Sequence, residues 1–179
     1  MSQNETGIAI DSQCLSYLID AISGLDEPTD ELADEKKALL RIWFYQPETF
    51  WVTGTVASEC SKIKNIERHE LHQSFISMAF MDPPQRDKSA IHKRTVTYML
   101  AHPKANDCRI LAETVDLGLN VLLSYDHRFL SRLSAAEPAV MLAKPTEYWN
   151  SLNIPLGAPL VTAPHPSNPL SERSWWLWQ

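Results

Sequence analysis

The twenty-one residues from Asn106 to Asp126, N-D-C-R-I-L-A-E-T-V-D-L-G-L-N-V-L-L-S-Y-D, constrain the fold more than any other stretch. Ile110, Leu111, Thr114, Val115 and Leu117 recur at helical spacing. Asn106 and Asp107 stand where a cap and a first-turn anion are favoured, and Gly118 where a helix end commonly needs a left-handed residue. Val121-Leu122-Leu123 is a short unbroken apolar run, the pattern of a parallel strand covered on both faces. The start of such a helix and the carboxyl end of the strand it feeds lie on the same edge of a sheet. Asp107 and Asp126 are therefore expected to face one another.

The N-terminal region repeats half of this pattern: Ile8-Ala9-Ile10 ends on Asp11, and a helical stretch runs from Ser12 to Ile22. In open parallel sheets, sites form beyond the carboxyl ends of strands, where strand order reverses. Further along, an amphipathic helix is expected over Asp30–Tyr45 and a strand over Phe50–Thr53. Gly54–Glu59 then turns into a helix carrying Glu59, Ile63 and Ile66. A third strand is expected at Phe75–Met81, stopped by Asp82-Pro83-Pro84. Lys88–Leu100 reads as a basic helix, His127–Leu133 as a helix, and Val140-Met141-Leu142 as a fifth strand. Alternating strands and helices indicate an α/β fold with a central parallel sheet of about five strands and right-handed crossovers.

At 179 residues the chain suits one domain with a sizeable core. Residues 1–6 read as an N-terminal tail and 7–149 as the domain. Residues 150–179 read as a proline-rich C-terminal tail ending Trp175-Trp176-Leu177-Trp178, too apolar to float free, which should dock on its own domain, a twin subunit or a partner. No stretch approaches the roughly 18 apolar residues that cross a bilayer, and the polar start lacks a signal-peptide layout, so the expected location is the cytoplasm.

The net charge of −6 argues against a general nucleic-acid coat, but the charge is uneven. Residues 1–60 hold eleven acidic and three basic residues, whereas residues 61–132 hold eleven basic and eight acidic. An acidic site beside a basic face suits a polyanion, with Lys62, Arg94, Arg109 and Arg128 as candidate contacts. Cys14, Cys60 and Cys108 have no metal-ligand spacing and read as small hydrophobes in the first turns of helices. His69 and His72 lack companions for a zinc site, and His127 reads as an exposed or capping residue.

Asp11, Glu59, Asp107 and Asp126 thus collect at one edge of one inferred sheet. Packed carboxylates repel and raise one another's pKa unless a cation neutralises them. Magnesium or manganese, hard ions bound through oxygen, are the natural partners, and metal-assisted phosphodiester hydrolysis is the leading chemistry.

Four motifs carry a family resemblance over about Gly7 to Trp149. They are Ile8-Ala9-Ile10-Asp11-Ser12-Gln13, Thr55-Val56-Ala57-Ser58-Glu59, Asp107-Cys108-Arg109-Ile110-Leu111-Ala112 and Ser124-Tyr125-Asp126-His127-Arg128-Phe129. In this order the chain resembles the PIN-domain nucleases. The resemblance implies a three-layer α/β/α sandwich and metal-dependent cleavage of RNA, single-stranded or structured, often as the toxin of a bacterial toxin–antitoxin pair. It implies that Asp11, Asp107 and Asp126 bind one or two magnesium or manganese ions, that Glu59 completes the cluster and orients the water, and that Ser124 and Ser12 support them. An antitoxin, another protein or a second copy of the chain are the protein partners it admits. Three features depart from the family pattern: Gln13 replaces an asparagine, Arg128 stands where many members carry another acid, and the tryptophan-ended tail is extra. The competing readings are a PIN-like module that only binds RNA or protein and a phosphoacceptor receiver domain built on Asp82 and Lys144-Pro145. The receiver reading leaves Glu59, Asp107 and Asp126 without roles.

Overall fold

A computed structural model describes residues 7–23, 26–47, 49–79 and 87–179. Four strands, β1 (Gly7–Ile10), β2 (Thr49–Trp51), β3 (Val121–Leu123) and β4 (Met141–Ala143), form one sheet in the order β2-β1-β3-β4. Every pairing is parallel, with Ile8 opposite Phe50 and Val121, and Leu122 opposite Leu142. Among the described residues, the α-helices are α1 (Ser12–Ile22), α2 (Ala33–Tyr45), α3 (Gly54–Cys60), α4 (Ile66–Ala79), α5 (Lys88–Tyr98), α6 (Ala105–Asp116), α7 (His127–Leu133) and α8 (Pro145–Ser151). The fold is α/β with an all-parallel central sheet. No helix among the described residues is long and apolar enough to cross a membrane.

The unbroken apolar runs account for the middle of the sheet. Ile8, Ala9 and Ile10 of β1 and Leu122 and Leu123 of β3 are almost wholly buried, as strands covered on both faces require. Edge strand β4 leaves Met141 exposed. Gly118, at φ +73°, ends α6 in a Schellman turn: its amide donates to the Val115 carbonyl (3.0 Å) and that of Leu119 to the Thr114 carbonyl (3.2 Å). That turn sends the chain straight into β3.

Several sequence expectations need correction. The strand expected at Phe75–Met81 is helical through Ala79, with Phe80 and Met81 outside the described residues, as are Asp82-Pro83-Pro84 and the 1–6 tail. A short apolar run does not by itself separate a strand from a buried helix turn. Here the face that carries His72 is what counts: its ring is buried against Ser16 of α1, and Phe75 lies on Trp43 of α2. Among the described residues the sheet accordingly has four strands rather than about five. The helix expected to run from Gly54 through Ile66 breaks after Cys60. Cys60 therefore lies at a helix end, not in a first turn.

The C-terminal tail packs on its own chain. Trp176, 2% exposed, lies 4.6 Å from the Phe44 ring of α2. Arg41 donates to the carbonyls of Trp176 and Leu177, and its guanidinium lies over the Trp178 ring. The Trp178 indole meets Trp149 of α8 edge-on.

Candidate functional site

Strand order reverses between β1 and β3, the two neighbours from which the chain departs in opposite directions. The carboxyl ends of these strands carry Asp11 and the Ser124–Asp126 turn. Asp11 caps α1, its Oδ1 accepting from the Cys14 amide at 2.7 Å. Its Oδ2 accepts from the Ser124 hydroxyl at 2.5 Å. Ser124 Oγ in turn accepts the Asp126 amide at 3.0 Å, so one buried hydroxyl ties the ends of two neighbouring strands together. Burial pushes the Asp11 carboxyl pKa up, the nearby Asp107 charge adds to the rise, and the Cys14 and Ser124 hydrogen bonds oppose it.

Asp126 caps α7: Oδ1 accepts from the amides of Arg128 (2.8 Å) and Phe129 (3.1 Å). Its Oδ2 accepts from the Lys104 ammonium at 2.7 Å, which holds the Asp126 carboxyl below the usual range. The same ammonium stands 3.6 Å from Asp107 Oδ2. Lys104 thus spans the two aspartates that the sequence places opposite one another, and they raise its pKa, Asp126 first. Asp107 Oδ2 also lies 2.7 Å from Nε2 of His102, a ring only 2% exposed whose Nδ1 has no partner among the described residues. Nε2 is thus the ring nitrogen that donates to the Asp107 carboxylate.

Glu59 joins from α3, its Oε1 accepting from the Asn106 amide of α6 at 2.7 Å. Asn106 is not the cap of α6, a position that Lys104 holds; it positions Glu59 instead. The two helices are locked by Glu113 of α6. Its two oxygens accept from the Thr55 amide and the Thr55 hydroxyl, each at 2.9 Å, and one also accepts from Arg109 Nε at 3.1 Å. A buried carboxylate thereby satisfies the N-terminus of α3 from another element.

Two cavities flank Glu59. A 390 Å³ groove beside Glu59 is lined by Lys62, Asn106, Arg109 and Glu113. A larger, open cavity of 640 Å³ on the other side of Glu59 is lined by Ser12, Gln13, Tyr17, Arg68 and Tyr125. Ser12 makes no hydrogen bond to an acid among those described. Arg94 lies off the site: it faces Asp116, at the far end of α6 from Asp107. Arg128 is exposed beside Asp126. His72 is a packing histidine, bonded to the Arg68 carbonyl and Ser16, and all three cysteines are buried free thiols.

Three features lie beyond the sequence reading. Lys104, three residues before Asp107, has the spacing of a helical ion pair, a signal present in the sequence. Glu113 interrupts the apolar stripe of Ile110, Leu111 and Thr114 with a charge, which signals a buried carboxylate that needs partners. His102 carries no comparable signal.

The donor set suits a hard divalent ion in kind, being carboxylate oxygen throughout, and the Lys104 ammonium shows that a cation is accommodated between two of the acids. Among the described residues, however, no three His, Cys, Asp or Glu side chains stand close enough to share one ion as they are placed. Closing a shared shell takes side-chain movement, which the part-exposed Asp107 and Glu59 have room to make.

No protein-family model matches the chain, and no curated protein does. Among solved structures, FitAcB from Neisseria gonorrhoeae is similar at 14% sequence identity and a TM-score of 0.49, over 77% of this chain and 97% of that one.

Proposed function

We propose that this protein is a metal-dependent endoribonuclease that hydrolyses RNA phosphodiester bonds at the carboxyl edge of β1 and β3. The observation that carries the reading is the convergence of Asp11, Asp107 and Asp126 around Ser124 and Lys104, at the point where strand order reverses. Asp11, Glu59 and Asp107 would hold magnesium or manganese. A divalent ion there supplies charge neutralisation at the phosphate and an activated water. Ser124 fixes the Asp11 carboxylate, His102 that of Asp107, and Asn106 that of Glu59, so each acid is oriented by a hydrogen-bond donor. Lys62 and Arg109 line a groove open to the RNA backbone next to Glu59. The four sequence motifs extend the proposal to a toxin role, with an antitoxin as protein partner.

A second reading is a module that binds RNA or protein without cutting. The separation of the acids into individually bonded carboxylates favours it. Incubating the chain with a mixed cellular RNA pool, with and without manganese or magnesium, separates the two. Cleavage abolished by chelator is expected. RNA retention without cleavage, in a folded protein that binds neither ion, supports the second reading.

A further inference from the structure

Glu59 stands between two cavities of different character. The groove on one side carries Lys62 and Arg109. The 640 Å³ cavity on the other side is bounded by α1, the start of α2, the end of α3 and the Tyr125 turn. Its charged side chains are already engaged. Arg68 donates to Asp20 at 2.6 Å, and Lys36 pairs with Asp30 while lying over the Tyr17 ring. Glu59 gives only Oε1 to the neutral Asn106 amide, so the uncompensated charge at this cavity is negative and disfavours a phosphate. The free polar groups are neutral. Among the described residues, no hydrogen bond engages the Gln13 side-chain amide or the Ser12 hydroxyl. Tyr17 and Tyr125 line the cavity with both hydroxyls buried, so neither contributes a polar tip, and Ile63 adds aliphatic surface.

We propose that this cavity receives one unpaired nucleobase of a single-stranded RNA whose backbone lies in the Lys62–Arg109 groove, with Gln13 reading the edge of the base. The inference rests on RNA as the ligand, as read above, and on no metal ion; it holds whether the chain cuts RNA or only binds it. The cavity has the size of a small-molecule site. A nucleobase is flat, uncharged and edged with donors and acceptors, and the lining answers each property. Aromatic and aliphatic surface suits its faces, and Gln13 both donates and accepts. RNA offers bases in this way where they are unpaired and splayed out. The division about Glu59 also orients the strand, with ammonium and guanidinium groups for phosphate on the α6 side and a neutral lining for the base on the α1 side. Gln13, two residues after Asp11, places that base beside the carboxyl edge.

The test is binding of labelled short RNAs to the full chain in the presence of chelator, read by fluorescence anisotropy, so that neither metal nor cleavage enters. The ligands are oligo(A), oligo(C), oligo(U) and an abasic ribose–phosphate oligomer of the same length. The preferred base should bind about ten-fold more tightly than the abasic oligomer, as stacking of one base typically gives. Gln13→Ala should remove most of the difference among the three bases and leave the abasic oligomer unchanged, whereas Lys62→Ala should weaken all four alike. Ile63→Trp, which fills the cavity, should bring the base-bearing RNAs down to the abasic level. Equal binding of base-bearing and abasic oligomers by the natural protein overturns the pocket and leaves RNA binding standing. A base preference that Gln13→Ala leaves intact also overturns it, and because Gln13 is exposed on α1 this variant keeps its fold. No binding of any of the four overturns the RNA reading as well.

Discussion

The carboxyl edge and the tail seam are built by opposite rules. At the edge, Asp11 is buried on two hydrogen bonds, Glu59 is held by Asn106, and Asp107 and Asp126 face a lysine that is itself largely exposed. At the seam, Trp176 and Trp178 close over Phe44, Tyr45 and Trp149, and the charged Arg41 donates to backbone carbonyls. The seam converts apolar area into stability. The edge gives stability up, because an aspartate as buried as Asp11 is held against its preference for water. Substitutions in the two regions should therefore fail in different ways.

The largest effect on stability is expected at the seam. Trp176→Ala removes a fully buried indole and should cost about 3–5 kcal/mol in denaturant unfolding, while cleavage by the fraction still folded stays at the natural rate. Cleavage lost in step with no change in stability would erase the contrast. Glu113→Ala lies between the regions. It strips the Thr55 amide and hydroxyl of their partner and should cost about 1–3 kcal/mol. It should also lower cleavage, because α3 then no longer holds Glu59 against Asn106. A loss of stability with cleavage intact would mean that Glu113 serves only the fold.

The smallest effect carries the opposite sign. The folded-state pKa of Asp11 is raised, so its contribution to stability is full below the unfolded value of about 3.9 and is lost as pH rises through the folded value. Near neutrality the ionised form is a burden. Asp11→Asn should then stabilise the protein at pH 7, with the gain fading towards acid, while cleavage is abolished. Unfolding curves at pH 4 and pH 7 check this, and a variant less stable at pH 7 would refute the assignment.

Much of the edge was legible in the sequence because its signals are local. Asp11 follows an apolar triplet, Asp107 opens an amphipathic helix and Gly118 closes it, so each position follows from neighbours a few residues away. The failures arose where tertiary contacts decide. Phe75–Ala79 is apolar enough for a strand, but His72 and Phe75 belong to a helix that lies on α1 and α2. Arg94 is basic and close in sequence to the site, yet it pairs with the wrong end of α6. The Glu113–Thr55 bond joins residues 58 apart, a distance that no pattern of spacing reveals. The tail's destination was likewise open, since its tryptophans predict burial without saying against what.

The most direct test of the account is the rate at which Asp107→Asn cleaves a labelled RNA in manganese, measured beside its unfolding curve. The account predicts a fall of about 10²–10³-fold or more in cleavage, as removal of one electrostatic group typically produces, with stability close to that of the natural protein. Cleavage at the natural rate by Asp107→Asn would contradict it, because the chemistry would then lie somewhere other than the carboxyl edge of the sheet.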